Sequence, residues 1–294
     1  MMEKFRDATF LSRICNRDYE SKLVAGGDRI TIRQRPNATT FKYRKGMIMP
    51  RQGYDTKSKT FYINRANAWR FNVNDIDKKL SDLDNWVGEW TDEFAKEESE
   101  VVEIEFLADI YSKCHALNRG LTAGAKGGEY DLGVTGTPLQ IYKATQTAAH
   151  KSSMIDAVAS AAACLEEQPG GMGDSPWILI PVWASLMIQT GELKEASLSG
   201  DDVSLLRKGV RVLGSIAGFD VFTSNLLNTV TDTVKCWNCI FGDKKAITYA
   251  DQVEKTEIKP DPDDFGMIHQ SVHVYDWDAI QTTRFGHLYI RKGA

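Results

Sequence analysis

Apolar side chains change their period once along this chain, and the change organises what surrounds it. In Asn64 to Asn74 (NRANAWRFNVN), Trp69, Phe71 and Val73 alternate with Arg70 and Asn72, the period of a half-buried strand. From about Leu83 the apolar positions become Val87, Trp90, Phe94, Val101, Ile104, Ala108 and Tyr111. Steps of three, four or seven lay a stripe along a helix. No proline or glycine pair interrupts it, and Asp82 or Asp84 is placed to cap its start. A helix of ~28 residues is ~42 Å long, more than most helices in globular domains reach. Its other face is acidic, with Glu89, Asp92, Glu93, Glu97, Glu98, Glu100, Glu103 and Glu105 opposed by Lys96.

Upstream, Gly26-Gly27-Asp28 opens a second alternation, Ile30 and Ile32 against Arg29, Thr31 and Arg33. It resumes out of phase at Phe41 and Tyr43, beyond Pro36. Antiparallel partners have position numbers with a constant sum. Ile30 with Val73 and Ile32 with Phe71 satisfy one register. Phe41 with Phe61 and Tyr43 with Lys59 satisfy a register one residue away, a slip that a bulge near Pro36 would absorb. The pattern therefore predicts one long hairpin turning at Arg51-Gln52-Gly53, with a loose tip from Gly46 to Ser58. Arms of ~15 residues would run ~50 Å, beyond the usual strand length. Their middle, with Arg33, Arg35, Arg65 and Asn67, is too polar for the chain's own core. A two-stranded ribbon alone is marginal in water, so it either folds back on its own domain or projects onto another molecule. We expect the second.

Downstream, a glycine-rich loop spans Asn118 to Gly136. A helix is predicted from Ser152 to Glu167, stopped by Pro169-Gly170-Gly171. A buried strand, Trp177 to Ile180, leads through Pro181 into a short helix, Val182 to Gln189. A helical piece is expected at Asp201 to Arg207, and a strand from Gly218 to Phe222 ends at Ser224-Asn225. Val234 to Phe241 and Ala246 to Tyr249 flank a turn at Gly242-Asp243-Lys244. Val253 to Ile258, Met267 to Tyr275 and Ala279 to Ile290 read as strands. Helices and strands without a regular βαβ rhythm indicate α+β architecture.

Charge adds to this picture through its distribution. Residues 1–79 hold eighteen Lys and Arg against eight Asp and Glu, about +10. Residues 80–113 hold two against eleven, about −9. Adjoining segments of opposite sign suggest that they meet, within one chain or between chains. The whole chain, at −4, lacks the basic excess of a dedicated nucleic-acid binder. At 294 residues, 42% hydrophobic and 26% charged, it can bury one large core or two smaller ones. The start, MMEKFRDATFLSR, has no signal-peptide core. The longest apolar run, Trp177 to Ile188, is too short to cross a bilayer and contains Pro181. Five scattered cysteines fit a reducing cytoplasm. No membrane association is expected.

Motifs of catalysis do not assemble. Cys236-Trp237-Asn238-Cys239 is a single C-x-x-C, whereas a zinc site needs a second pair or suitably spaced histidines. Of the five histidines only His269 and His273 form a near pair, on a predicted strand. Gly120 to Lys126 lacks phosphate-loop spacing, and Asp264-Phe265-Gly266 has no kinase context. Neither G-x-G-x-x-G nor G-x-S-x-G occurs. The sequence points to no enzyme activity, no catalytic, cofactor-binding or metal residues, and no cofactor.

The order of the remaining features carries a resemblance: Ile14 to Glu20 (ICNRDYE), Gly26 to Ile32 (GGDRITI), a long hairpin, Phe71 to Asp77 (FNVNDID), and the acidic helix. Then come Trp177 to Pro181 (WILIP), Gly214 to Asn225 (GSIAGFDVFTSN) and Ala246 to Glu254 (AITYADQVE). In this order they resemble a major capsid protein of a tailed bacteriophage with the Hong Kong 97-type shell fold, over nearly the whole chain, with 118–141 unmatched. The resemblance implies an N-terminal arm (1–27), an extended loop hairpin (28–74) and a peripheral domain with a long spine helix (75–139). An axial domain (140–240) follows, then C-terminal strands returning to the axial and peripheral sheets (241–294).

It further implies self-assembly into hexamers and pentamers of an icosahedral shell around double-stranded DNA, made in a bacterial cytoplasm and ending in the virion. The extended loop would lie on a neighbouring subunit. Arg33, Arg35, Lys42, Arg44, Lys45, Arg51, Lys57 and Lys59 would then meet Glu93, Glu97, Glu100 and Glu103 of adjacent copies. Because the matching motifs begin by Ile14, a separate scaffolding protein is implied, together with a portal protein, room for a decoration protein, and non-specific contact with packaged DNA. Some family members crosslink Lys to Asn; nothing identifies such a pair here. An encapsulin-like compartment shell, a tail or portal accessory protein, and a cytoplasmic enzyme using Cys236 and Cys239 are the competing readings.

Overall fold

The computed structural model describes residues 10–18, 29–33, 40–49, 51, 53, 58–74, 86–144, 147–190, 215–262 and 265–293. In chain order the elements are α1 (Leu11–Ile14), β1 (Arg29–Arg33), β2 (Ser58–Tyr62), β3 (Arg65–Asn74), α2 (Trp86–Asp109), β4 (Leu139–Tyr142), β5 (Lys151–Ser153), α3 (Met154–Glu166), β6 (Pro176–Pro181), α4 (Val182–Thr190), β7 (Ser215–Ile216), β8 (Phe219–Ser224), β9 (Thr229–Asp232), β10 (Val234–Asp243), β11 (Ile247–Pro260), β12 (Gly266–Ala279) and β13 (Phe285–Lys292). The architecture is α+β, as the sequence predicts. The helical piece expected at Asp201 to Arg207 lies outside the described residues, as do the caps Asp82 and Asp84 and the bulge at Pro36.

Two sheets divide the work. The larger runs β5-β4-β13-β10-β6-β8-β7, with β9 added on β10. Its centre is the near-continuous apolar run Trp177 to Ile180 of β6, buried on both faces. The smaller sheet, β11-β12-β3, is antiparallel and half-covered by α2. One contiguous core joins the layers, shared by Val102 and Phe106 of α2, Ile110 just past its end, Tyr249, Tyr275 and Trp277 of the small sheet and Phe241 and Phe285 of the large one. Although β10 and β11 are adjacent in sequence, the turn at Gly242-Asp243-Lys244 does not close a hairpin. It passes the chain from one sheet to the other.

α3 forms within the stretch expected, and the structure adds the cap that starts it. Ser153 caps it, its Oγ accepting the Asp156 N–H at 3.1 Å, with Asp156 in the first turn. Gly170 and Gly171, at φ 107° and 60°, then turn the chain in the left-handed region. Ser153→Ala should cost about 1 kcal/mol, read as a lower urea midpoint with an unchanged m-value.

The ribbon differs from its expected pairing. Ile30 pairs with Phe61 and Ile32 with Lys59, so β1 joins β2 in a short two-stranded ladder. β3 instead pairs along its length with β12, from Asn74 opposite Gly266 to Arg65 opposite Tyr275. A constant sum is satisfied by any two alternating strands, so it cannot choose between partners. Burial can: pairing with β12 lets Trp69 and Phe71 lie under α2, where a free ribbon would leave them wet. The base of the ribbon also packs at home, with Ile32 and Phe61 buried against Ala250 and Ile280. Phe41 and Tyr43, expected in a strand, are in an exposed irregular loop.

Candidate functional site

Two features stand apart from the core: the seam between α2 and the small sheet, and the loop 40–49 beyond β1. The seam is graded along the helix. Toward the start of α2, Trp90 and Phe94 stack with Trp69 and Phe71, with Trp69–Phe94 centroids 5.3 Å apart and His269 stacked on Phe71 at 4.9 Å. Farther along, acids turn inward onto polar groups of the sheet. Glu98 Oε1 lies 2.8 Å from His273 Nδ1, and Glu105 accepts from Tyr275 at 3.0 Å. Asp109 accepts from the Trp277 indole at 2.9 Å. The Arg65 guanidinium sits 4.0 Å over the Trp277 ring and within 3.5 Å of Glu105, Asp109 and Asp276. Asp109 is partly buried, which opposes ionisation. The Lys113 ammonium, the Trp277 indole and Arg65 outweigh that burial and hold its carboxyl below the ordinary range.

These contacts resolve the charge asymmetry into two parts. Arg65, from the basic half of the sequence, meets α2 within the chain. Lys59 is also used at home: its ammonium is 2.7 Å from Asp278 and donates to the Ala279 carbonyl. Glu103, too, has an internal partner. It is 6% exposed and accepts the Phe10 N–H at 2.9 Å, fastening the N-terminal segment to α2. Glu93, Glu97 and Glu100 do face outward, one turn apart on the helix, with Ile104 50% exposed beside them. Lys96, 3.6 Å from Glu93, shares that outer region. Of the expected stripe Trp90 and Phe94 meet the sheet, but beyond them the buried side is Ala95, Ser99, Val102 and Phe106, continued by Ile110 just past the helix, while Ile104 faces out. The small and polar members of that side hid it from a count of large apolar residues.

Lys42, Arg44, Lys45 and Arg51 are exposed in the stretch between β1 and β2. Arg35 and Lys57 lie outside the described residues, as does the side chain of Arg33. Sequence reasoning overlooked the apolar half of this loop. Phe41, Tyr43, Met47 and Met49 are exposed, and Ile48 is 92% so. The signal was legible in FKYRKGMIMPR, where large apolar residues accompany every cation. A turn at Lys45-Gly46, closed by Met47 N–H to the Arg44 carbonyl at 3.0 Å with Gly46 at φ 88°, presents the Met47-Ile48-Met49 tip.

The C-x-x-C pair belongs to the core. Cys236 and Cys239 are both fully buried on β10, three residues apart on a strand and so on opposite faces. Cys239 packs in the main core, which pushes its thiol up, while the Cys236 thiol donates to the Val234 carbonyl. Opposite faces prevent the two from sharing a metal or forming a disulfide. Among the described residues no three His, Cys, Asp or Glu side chains cluster as metal ligands, and no helix is long and apolar enough to cross a membrane.

No family model matches the chain, and no curated protein matches it in sequence. Solved structures do. The chain is similar to a chain of Mycobacterium phage Che8, with TM-score 0.64 and 18% identity over 95% of this chain and 90% of that one. It is similar to the mature capsid of bacteriophage PhiM1, with TM-score 0.58 and 12% identity over 97% and 87%. It also matches the capsid of cyanophage P-SCSP1u, with TM-score 0.57 and 12% identity over 91% and 85%. At such identities the likeness is one of fold, and the fold of this chain is the Hong Kong 97 type of phage capsid proteins.

Proposed function

We propose that this chain is the major capsid protein of a tailed phage, a structural protein whose copies close into an icosahedral shell around double-stranded DNA. The observation that carries the reading is a fold likeness spanning nearly all of both chains. In this reading α2 is the spine of a peripheral domain with the small sheet, and the large sheet with α3 and α4 forms the axial domain around which hexamers and pentamers close. The projecting part of the extended loop lies between β1 and β2, because β3 belongs to the small sheet. Hexamer and pentamer contacts to other copies come first. A separate scaffold, a portal, a decoration protein and non-specific backbone contact with packaged DNA accompany them.

The loop supports the same reading. Its five exposed large apolar side chains have no place on their own subunit's core and need a partner. Burying a Met or Ile side chain contributes about 1.5–3 kcal/mol. An exposed ion pair contributes about 0–1 kcal/mol. The tip therefore anchors, while Lys42, Arg44, Lys45 and Arg51 set orientation against Glu93, Glu97 and Glu100 of adjacent copies. Ile48→Glu combined with Met49→Glu should leave the circular dichroism spectrum and melting curve of the subunit unchanged. It should also reduce particles seen by electron microscopy at least about tenfold, since each shell repeats the lost contact in every subunit. Wild-type chain that forms no closed particle with or without a scaffolding partner, or a double variant that assembles normally, would sink the proposal.

A further inference from the structure

A charged cluster lies buried where four segments meet, and no part of the assembly reading uses it. His273 of β12 is at its centre, its side chain 3% exposed. Its Nδ1 is 2.8 Å from Glu98 Oε1 on α2, and its Nε2 is 3.9 Å from Asp251 Oδ2 on β11, a carboxylate with 0% exposure. Arg17, in the segment that follows α1, reaches the other oxygen of Asp251 and lies 5.6 Å over the Tyr249 ring of β11. From β3, Asn67 donates to Glu98 and to the Tyr275 hydroxyl. Tyr275, two residues along β12, stacks on the imidazole at 5.1 Å and donates to Glu105. Asn16 links this segment to β11 through the backbone, its N–H donating to Ile247 and its carbonyl accepting from Tyr249.

The geometry sets a protonation requirement. A neutral imidazole has one N–H and can donate to one carboxylate; the other nitrogen then presents a lone pair. Here both ring nitrogens face carboxylates, so the doubly protonated ring alone serves both. Without that proton, Asp251 keeps Arg17 and Glu98 keeps Asn67, but the ring presents a lone pair to one of the two carboxylates. Breaking the compensation of a buried charge is strongly destabilising.

We propose that His273 is a proton-controlled latch which, when doubly protonated, ties segment 10–18 and α2 to the small sheet, and which loosens that joint as the solution turns alkaline. The latch stands whether or not the chain builds a shell, so particle formation is not its readout. Burial opposes the charge on His273, and the carboxylates of Asp251 and Glu98 more than offset it, raising its pKa above 6.5. The sign follows. A raised folded-state pKa adds stability that is fully present below 6.5 and is lost as pH rises through the higher folded value.

The test is hydrogen exchange of the wild-type chain between about pH 6 and about pH 9, corrected for intrinsic exchange, beside an NMR titration of the His273 ring. Protection of amides in 15–18 and 247–251 should fall by up to about tenfold per pH unit across the titration, while α3 stays protected. His273→Gln should abolish that pH dependence. Where the variant does not fold, the wild-type titration decides. A His273 pKa at or below 6.5, protection at 15–18 that ignores pH, or a folded His273→Gln variant with the wild-type pH profile would each overturn the latch.

Discussion

Replacing Trp277 with alanine is expected to cost about 3–5 kcal/mol of folding stability, a large share of the ~5–15 kcal/mol that holds a typical domain. Trp277 is 1% exposed and does several jobs. Its ring meets Phe106 of α2 edge-on at 5.5 Å, stacks on Tyr275 at 5.9 Å and lies beneath Arg65 at 4.0 Å. Its indole N–H is held by Asp109. Truncation would open a cavity where the long helix, the small sheet and the basic strand converge, and would leave Asp109 and Arg65 with fewer partners. Trp277→Phe should lose the hydrogen bond and part of the packing, about 1–2 kcal/mol. Urea denaturation followed by circular dichroism measures both. An alanine variant that loses less than the phenylalanine one would contradict this account of the seam.

Gly133→Ala is the second large effect, and it lies in the loop that the sequence resemblance could not match. Gly133 sits at φ 73°, where an added Cβ would fall 2.2 Å from the Tyr289 carbonyl oxygen and 2.9 Å from the Leu139 nitrogen. The Leu132 carbonyl accepts the Tyr289 N–H at 2.8 Å, so the loop is bonded along β13 just where the methyl would intrude. Left-handed backbone costs a non-glycine residue about 1–2 kcal/mol, and overpacking about 1–3 kcal/mol more. The expected result is a sharply lower urea midpoint, whereas Gly136→Ala should cost only the backbone part, because its Cβ would meet nothing within 4 Å. Equal losses at the two positions would show that close approach to β13 is not the cause.

Residues with strong local chemistry were legible in the sequence. The helix ending before Pro169, the run Trp177 to Ile180 and the outward alternation of Arg70 and Asn72 each form as read, because each depends on neighbours a few positions away. Strand partners were not legible. β3 chose β12, about two hundred positions later, because Trp69 and Phe71 found cover under α2 there, and alternation alone carries no information about that cover. On the helix, Ala95 and Ser99 face the core while Ile104 faces out. Beyond Phe94 a size-weighted pattern therefore pointed to the wrong side. Among the contact candidates, Lys59 and Glu103 proved to have internal partners for the same reason. Their charge was visible in the sequence, but Asp278 and the Phe10 amide, which claim them, were far away in it.

The pairing of β3 with β12 also decides how the molecule would bear a pull. Only Ile63 and Asn64 separate β2 from β3, so tension applied at the loop passes through β2 to the first residue of β3. That strand is bonded to β12 from one end to the other, so a load along its axis falls on all its rungs together, in shear, and no single rung takes it first. A subunit tugged by its neighbour would resist as a glued lap joint does, and would give way by peeling only if the force came from the side.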